Sequence, residues 1–184
     1  MRGGAYTSEI TGQHWSLVGA PADEGVRAEV PLYGLTPRHT YREAYPLVTE
    51  VYRRCRSTCP PQRHPLAGDS AGAGLALGAA RELPAAGLPQ PRRIALISPW
   101  LDLTLSHPAV RAVAPHDPWL TPEGLVEMGR ARADGDDPAD PRLSPVAGSL
   151  KGLAPMSVFI GTRDVSTRTC AACVSAPPGG HRWR

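Results

Sequence analysis

The run Gly68-Asp69-Ser70-Ala71-Gly72 places a serine between two glycines, and a small apolar stretch, Gly74–Ala80 (GLALGAA), follows. A Gly-x-Ser-x-Gly turn between a strand and a helix is so tight that side chains at its glycines would clash. It lifts the serine hydroxyl clear of the sheet, and the next helix offers a backbone N–H and a favourable dipole. A serine so placed can attack a carbonyl carbon, provided that oxyanion donors, an acid and a histidine accompany it. Phosphate-binding readings of the same glycines fail on residues. A P-loop closes on Gly-Lys-Ser/Thr, and Lys151 is the only lysine in the chain. A dinucleotide fingerprint begun at Gly72 finds Gly74 and then Leu77 where its third glycine belongs. A nucleotide-binding α/β domain therefore rests on the glycine-rich turn alone.

Other chemistry-bearing residues are sparser. Asp164, in Gly161-Thr-Arg-Asp-Val165, follows an apolar run and reads either as a site acid or as a solvated carboxylate paired with Arg163 or Arg168. Asp69 reads as a support for the serine turn. The aspartates from Asp134 to Asp140 break the calcium-loop pattern at Pro138 and lack its closing glutamate, which leaves a solvated loop. The pairs Cys55/Cys59 and Cys170/Cys173 are a poor match to zinc spacing, and reduced thiols are expected.

These residues need a scaffold. Ser8 to Ala22 reads as a helix with Ile10, His14, Trp15 and Val18 on one face, and Val26–Leu32 alternates like a strand. Thr40-Tyr-Arg-Glu43 is a capping box, followed by Tyr41, Ala44, Tyr45, Val48 and Tyr52 at helical spacing. The segment 59–68 should feed Ser70 as a strand, yet its prolines leave only Leu66 and Ala67 to bury. Arg93–Ser98 and Pro155–Gly161 are apolar strands, and Leu120–Ala133 is a helix opening at Thr121-Pro122. Strands alternating with helices predict an open, mostly parallel α/β sheet. From Ser166 to Arg184 no periodicity is present, and that stretch is expected to be unstructured.

Composition sets outer bounds. With 184 residues, 41% hydrophobic and 20% charged, the chain suits one globular domain. Phe159 is the sole phenylalanine, so Trp15 and Trp100 are the candidate large core fillers. A net charge of +3 with scattered arginines argues against nucleic acid. No apolar run is long enough to span a membrane, the first ten residues hold no signal-like stretch, and a cytoplasmic location is expected.

Four motifs occur in a telling order: Arg2-Gly3-Gly4-Ala5-Tyr6, Tyr33-Gly34-Leu35-Thr36-Pro37, Gly68-Asp69-Ser70-Ala71-Gly72 and Ser98-Pro99-Trp100-Leu101-Asp102. From about Arg2 to Val165 the chain resembles the α/β-hydrolase superfamily, in its hormone-sensitive-lipase-like carboxylesterase branch. That family carries a His-Gly-Gly-Gly/Ala oxyanion loop, a later Tyr-Arg-Leu-Ala-Pro element and then Gly-Asp-Ser-Ala-Gly. The resemblance implies Ser70 as nucleophile, oxyanion donors at the N–H groups of Gly3, Gly4 and Ala71, and Asp164 as the acid that orients a histidine. His181 is the only histidine after Asp164 and keeps the order Ser–Asp–His, although it lies closer to the acid than the family spacing. Hydrolysis of small or medium carboxylic esters through an acyl-enzyme is implied, with no metal and no cofactor.

The chain departs from that family at definite places. Arg2 stands where the family has histidine, Ser166 stands where it has leucine two residues past the acid, and the strand feeding Ser70 is degraded. The family has strands and a cap before its oxyanion loop, and a helix, a strand and a histidine-bearing loop after its acid. The expectation is an incomplete α/β-hydrolase fold, a mostly parallel sheet flanked by helices without the first strands, the cap and the last strand. Residues 1–165 would be the partial domain and 166–184 an unrelated tail, as a shifted reading frame would produce. Such a gapped sheet is expected to be unstable and its activity impaired. A catalytically inactive fragment, kept as a binding or partner-dependent module or made from a pseudogene, is the competing reading.

Overall fold

The computed structural model describes residues 1–58, 64–175 and 182–183. Its centre is a parallel sheet of β1 (Leu66–Asp69), β2 (Ile94–Ile97), β3 (Met156–Phe159) and the two-residue β4 (Arg182–Trp183), in that spatial order. The register sets Asp69 beside Ile97 and Ile97 beside Phe159, so three strands end at one level. Parallel neighbours need a crossover between them, and helices supply it. Helix α1 is Gly12–Asp23, α2 is Tyr41–Thr58, and α3 (Ser70–Glu82) joins β1 to β2. The one-turn α4 (Val110–Val113), then α5 (Pro122–Ala133) and α6 (Thr167–Ser175) complete the helices.

Helix α3 is apolar all round because it is covered all round. Every residue from Ala71 to Ala80 is buried. Ala71, Leu75 and Ala79 face one cluster with Val48, Tyr6 and Trp100, while Ala73, Ala76, Leu77 and Ala80 face Ile94, Leu96 and Val158 of the sheet. The spacing of three and four residues is the helical repeat read directly as two faces. Helix α2 packs its Tyr41, Ala44, Val48 and Tyr52 stripe against α3. Glu43 closes its capping box by accepting from Thr40 N–H at 2.8 Å and Thr40 Oγ1 at 2.9 Å.

Three sequence expectations give way. Val26–Leu32 forms no strand. A strand exists only where its N–H and C=O groups find a ladder, and the free side of β1 is met instead by Met1. The Met1 nitrogen donates to the Ala67 carbonyl at 2.6 Å, and Asp69 N–H donates to the Met1 carbonyl at 3.3 Å. Trp15 is not a core residue: it is half exposed, no residue of α1 is fully buried, and among the described tryptophans only Trp100 fills the interior. The stretch after Ser166 is not wholly irregular, since α6 occupies Thr167–Ser175 and β4 pairs with Ser157 and Val158. Small residues let α6 sit close to the sheet, with Cys170 buried and its Sγ donating to the Pro99 carbonyl at 3.4 Å.

The loop after β2 is organised by one carboxylate. Asp102, 5% exposed, accepts from Thr104 N–H at 2.9 Å, Thr104 Oγ1 at 2.6 Å, and both Ser106 N–H and Ser106 Oγ at 2.8 Å. Burial alone would raise its pKa, but these hydrogen bonds outweigh burial and hold the carboxyl below its ordinary value. A depressed folded-state pKa contributes stability that is present above the unfolded value and is lost as pH falls through the folded one. Asp102→Ala is expected to lose about 1–3 kcal/mol in urea unfolding at pH 7. The gap to wild type should close as pH drops below the ordinary aspartate range of about 4; a constant gap would show that charge plays no part.

Candidate active site

Ser70 is the first residue of α3 and stands directly beyond the carboxyl end of β1. Its φ of +49° is a left-handed conformation that side chains rarely adopt, and a non-glycine residue there costs about 1 kcal/mol or more. Close packing enforces it. A Cβ at Gly68 would come within 2.7 Å of Ala73 N, and one at Gly72 within 2.6 Å of the Arg2 carbonyl carbon. The Ser70 carbonyl accepts from Trp100 N–H at 3.1 Å, which ties the turn to the loop after β2. Ser70 is half-buried, and its Oγ makes no hydrogen bond among the described residues.

The segment 2–8 lies against this turn. Gly4, Ala5 and Tyr6 have φ of +94°, +49° and +64°, and the Gly4 carbonyl accepts from both Thr7 and Ser8 N–H at 2.9 Å. Arg2, at the position where the motif has histidine, is buried and clasps the loop. Its guanidinium donates to the Ser8 carbonyl at 2.5 Å and the Tyr33 carbonyl at 3.1 Å, and lies 4.3 Å from the Tyr33 ring centroid. Tyr33 Oη returns a hydrogen bond to the Arg2 carbonyl at 2.6 Å, and burial pushes the phenol up to about 12, so it stays a donor. Tyr6 packs its ring 5.8 Å from Trp100, with the buried Arg132 guanidinium 4.5 Å from its centroid. Among the described residues Arg132 Nε and Nη2 have no hydrogen-bond partner, so aromatic faces rather than a carboxylate carry that cation.

The proposed oxyanion donors differ in their engagement. Gly3 N–H is already given to Asp69 Oδ1 at 2.9 Å. The N–H groups of Gly4, Ala5 and Ala71 have no protein acceptor among the described residues. Asp69 thus holds the loop to the turn, and its other oxygen, Oδ2, lies 3.3 Å from His14 Nε2.

Asp164 is half-buried in the turn between β3 and α6, at the same end of the sheet as Ser70. Burial pushes its carboxyl up, opposed in part by hydrogen bonds from Ser166 N–H, at 2.8 Å, and from Ser98. Ser98 directly follows β2, so the residues after three neighbouring strands converge at one edge, where ligands of open α/β sheets bind. Among the described residues Asp164 forms no ion pair with Arg163 or Arg168. A residue that the sequence did not single out secures this turn: Asp117 accepts from Val165 N–H at 2.9 Å and from Trp119 and Leu120 N–H at 2.9 Å. No periodicity marks it, because it acts from a loop far away in sequence.

His181 lies outside the described residues. None of the described histidines hydrogen-bonds Ser70: His14 is committed to Thr11 and Asp69, and His107 Nδ1 accepts from Ala109 N–H at 3.2 Å. Among the described residues no three His, Cys, Asp or Glu side chains converge as a metal site, and no helix is long and apolar enough to cross a membrane.

Known proteins resemble this chain in sequence and fold. The family model for the alpha/beta hydrolase fold matches residues 1–175. An acetyl-hydrolase of Streptomyces hygroscopicus is 34% identical over 167 residues, 90% of this chain and 56% of that protein. An esterase of Acinetobacter venetianus is 32% identical over 171 residues, 90% of this chain and 55% of that protein. The crystal structure of a hormone-sensitive lipase from a metagenome library superposes with a TM-score of 0.88 at 29% identity, covering 94% of this chain and 60% of that one. The chain thus spans about half the length of the curated relatives it matches. With its serine turn, glycine loop and parallel sheet in the family's order, the chain belongs to the alpha/beta hydrolases, in the hormone-sensitive-lipase-like branch.

Proposed function

We propose that the chain carries the nucleophile of a carboxylic ester hydrolase acting through an acyl-enzyme on Ser70. The observation that supports this most is Ser70 itself: a serine held at positive φ, its hydroxyl unpartnered among the described residues, at the mouth of a helix and against a glycine loop. Strain of this kind persists only where surrounding packing over-determines it, and it gathers at working sites. Ser70 Oγ would attack the ester carbonyl and pass its proton to a histidine. The oxygen of the tetrahedral intermediate would take hydrogen bonds from Gly4, Ala71 and, with Gly3 engaged by Asp69, from Ala5 in its place. Collapse releases the alcohol with the returned proton, and water then cleaves the acyl-enzyme by the reverse sequence. Asp164 would orient the histidine and stabilise its charged form, and His181 is the histidine that chain order supplies. The names of the relatives, an acetyl-hydrolase and an esterase, favour short acyl esters as substrates.

The test is turnover of p-nitrophenyl acetate and butyrate by the purified chain, together with fluorophosphonate labelling located by mass spectrometry. Turnover with one label per chain on Ser70 is expected. Background hydrolysis with no label on Ser70 overturns the reading and leaves the chain a catalytically inactive hydrolase-fold module.

A further inference from the structure

No residue of helix α1 is fully buried, yet one of them reaches the serine turn. The His14 side chain is 16% exposed and its Nε2 lies 3.3 Å from Asp69 Oδ2. His14 Nδ1 accepts the Thr11 N–H at 3.0 Å. A backbone N–H can only donate, so Nδ1 carries no proton and the ring hydrogen sits on Nε2, directed at the carboxylate. The other carboxylate oxygen accepts Gly3 N–H at 2.9 Å. One carboxylate is thereby fixed at both oxygens, by α1 on one side and by the oxyanion loop on the other. The fit leaves no slack, because a Cβ on Gly3 would stand 3.0 Å from Ser70 Cβ and nearer still to Asp69 Oδ2.

We propose that His14 is a positioning residue for ester hydrolysis at Ser70, acting through Asp69 to hold Gly3 and with it the N–H groups that follow. The proposal rests on the acyl-enzyme reading given above. Without His14, Oδ2 loses its protein donor and the carboxylate is free to turn towards water. The Gly3 hydrogen bond then loosens, and the donors at Gly4 and Ala5 drift from the oxyanion position. A misplacement of about 1 Å costs on the order of 100-fold in rate, and the loss falls on the transition state more than on ground-state binding.

His14→Ala is therefore expected to lower kcat by about 10- to 100-fold with KM within about twofold. His14→Gln, whose amide N–H reaches the same carboxylate oxygen, should recover most of that loss. His14→Ala combined with Asp69→Asn should be no slower than Asp69→Asn alone, since residues acting in one line are not additive. Hydrogen exchange at the Gly3 amide, followed by NMR, gives a second readout that needs no turnover. Protection should fall in His14→Ala and return in His14→Gln. Wild-type kcat in His14→Ala, or Gly3 exchange that ignores the substitution, overturns the proposal. Absence of turnover in the wild type overturns the hydrolase reading instead, and the Gly3 exchange alone then decides whether the latch exists.

Discussion

Ser70→Ala is expected to reduce ester turnover to background, a loss of at least about 10³-fold, while leaving the unfolding midpoint close to wild type. Loss of the attacking oxygen removes the covalent route altogether. Stability barely changes because alanine at φ +49° carries the same backbone strain as serine, and the Oγ has no protein partner to lose among the described residues. Ser70→Gly separates the two effects. Glycine visits the left-handed region freely, so this variant should be inactive yet more stable than Ser70→Ala by about 0.5–1 kcal/mol. A protein stabilised by deleting its own nucleophile would show that the turn is held against its conformational preference for the sake of chemistry. Turnover surviving in Ser70→Ala would remove Ser70 from the mechanism. Equal stability of the two variants would show that the strain carries no measurable cost.

How much of this was legible beforehand depends on whether a feature is local. Thr40 and Glu43, Thr121 and Pro122, and the run Ile94–Ile97 declare helices and a strand through neighbours only a few residues apart, and the structure builds them there. Gly68 is legible because the clash it avoids is with Gly72 and Ala73, a few positions on, whereas the need for glycine at Gly72 comes from Met1 and Arg2, far away in sequence. Val26–Leu32 misleads for the opposite reason: its alternation is genuine, but a strand needs a partner and none pairs with it among the described residues. Helix α6 is not legible because the burial of Cys170 comes from the loop after β2, where its Sγ meets the Pro99 carbonyl, a contact invisible in a short segment. The glycine loop is legible by its glycines, while the acceptor of the Gly3 N–H, Asp69, is not, because it lies 66 residues away. Arg2 looked like a defect in the motif. Only in three dimensions do its guanidinium and Tyr33 become a clasp that performs the holding a polar side chain is needed for.

The meeting of the two glycine motifs leads to the largest stability effect. At Gly72 helix α3 backs onto the first residues of the chain, and an added Cβ would lie 2.6 Å from the Arg2 carbonyl carbon, with the Met1 and Arg2 carbonyl oxygens closer still. All three atoms are backbone, so no side chain can swing aside. Helix propensity favours alanine over glycine inside a helix by about 1 kcal/mol, and the steric term opposes it. Overpacking a rigid site typically costs about 1–3 kcal/mol, and here relief also requires Met1 and Arg2 to leave the edge of β1. Gly72→Ala is expected to lose about 3–4 kcal/mol in urea unfolding, together with most of its turnover, because the displaced segment is the loop proposed to bind the oxyanion. Gly12→Ala is the matched control, since a Cβ there meets nothing within 4 Å and its backbone is helical. That substitution should stabilise the chain by about 0.4–1 kcal/mol. If Gly72→Ala instead stabilised the protein as Gly12→Ala does, the segment Met1–Gly4 could not be packed against the serine turn. The glycines of the two motifs are thus one requirement: the turn and the loop share a single contact surface, and at Gly72 only a residue without a side chain fits it.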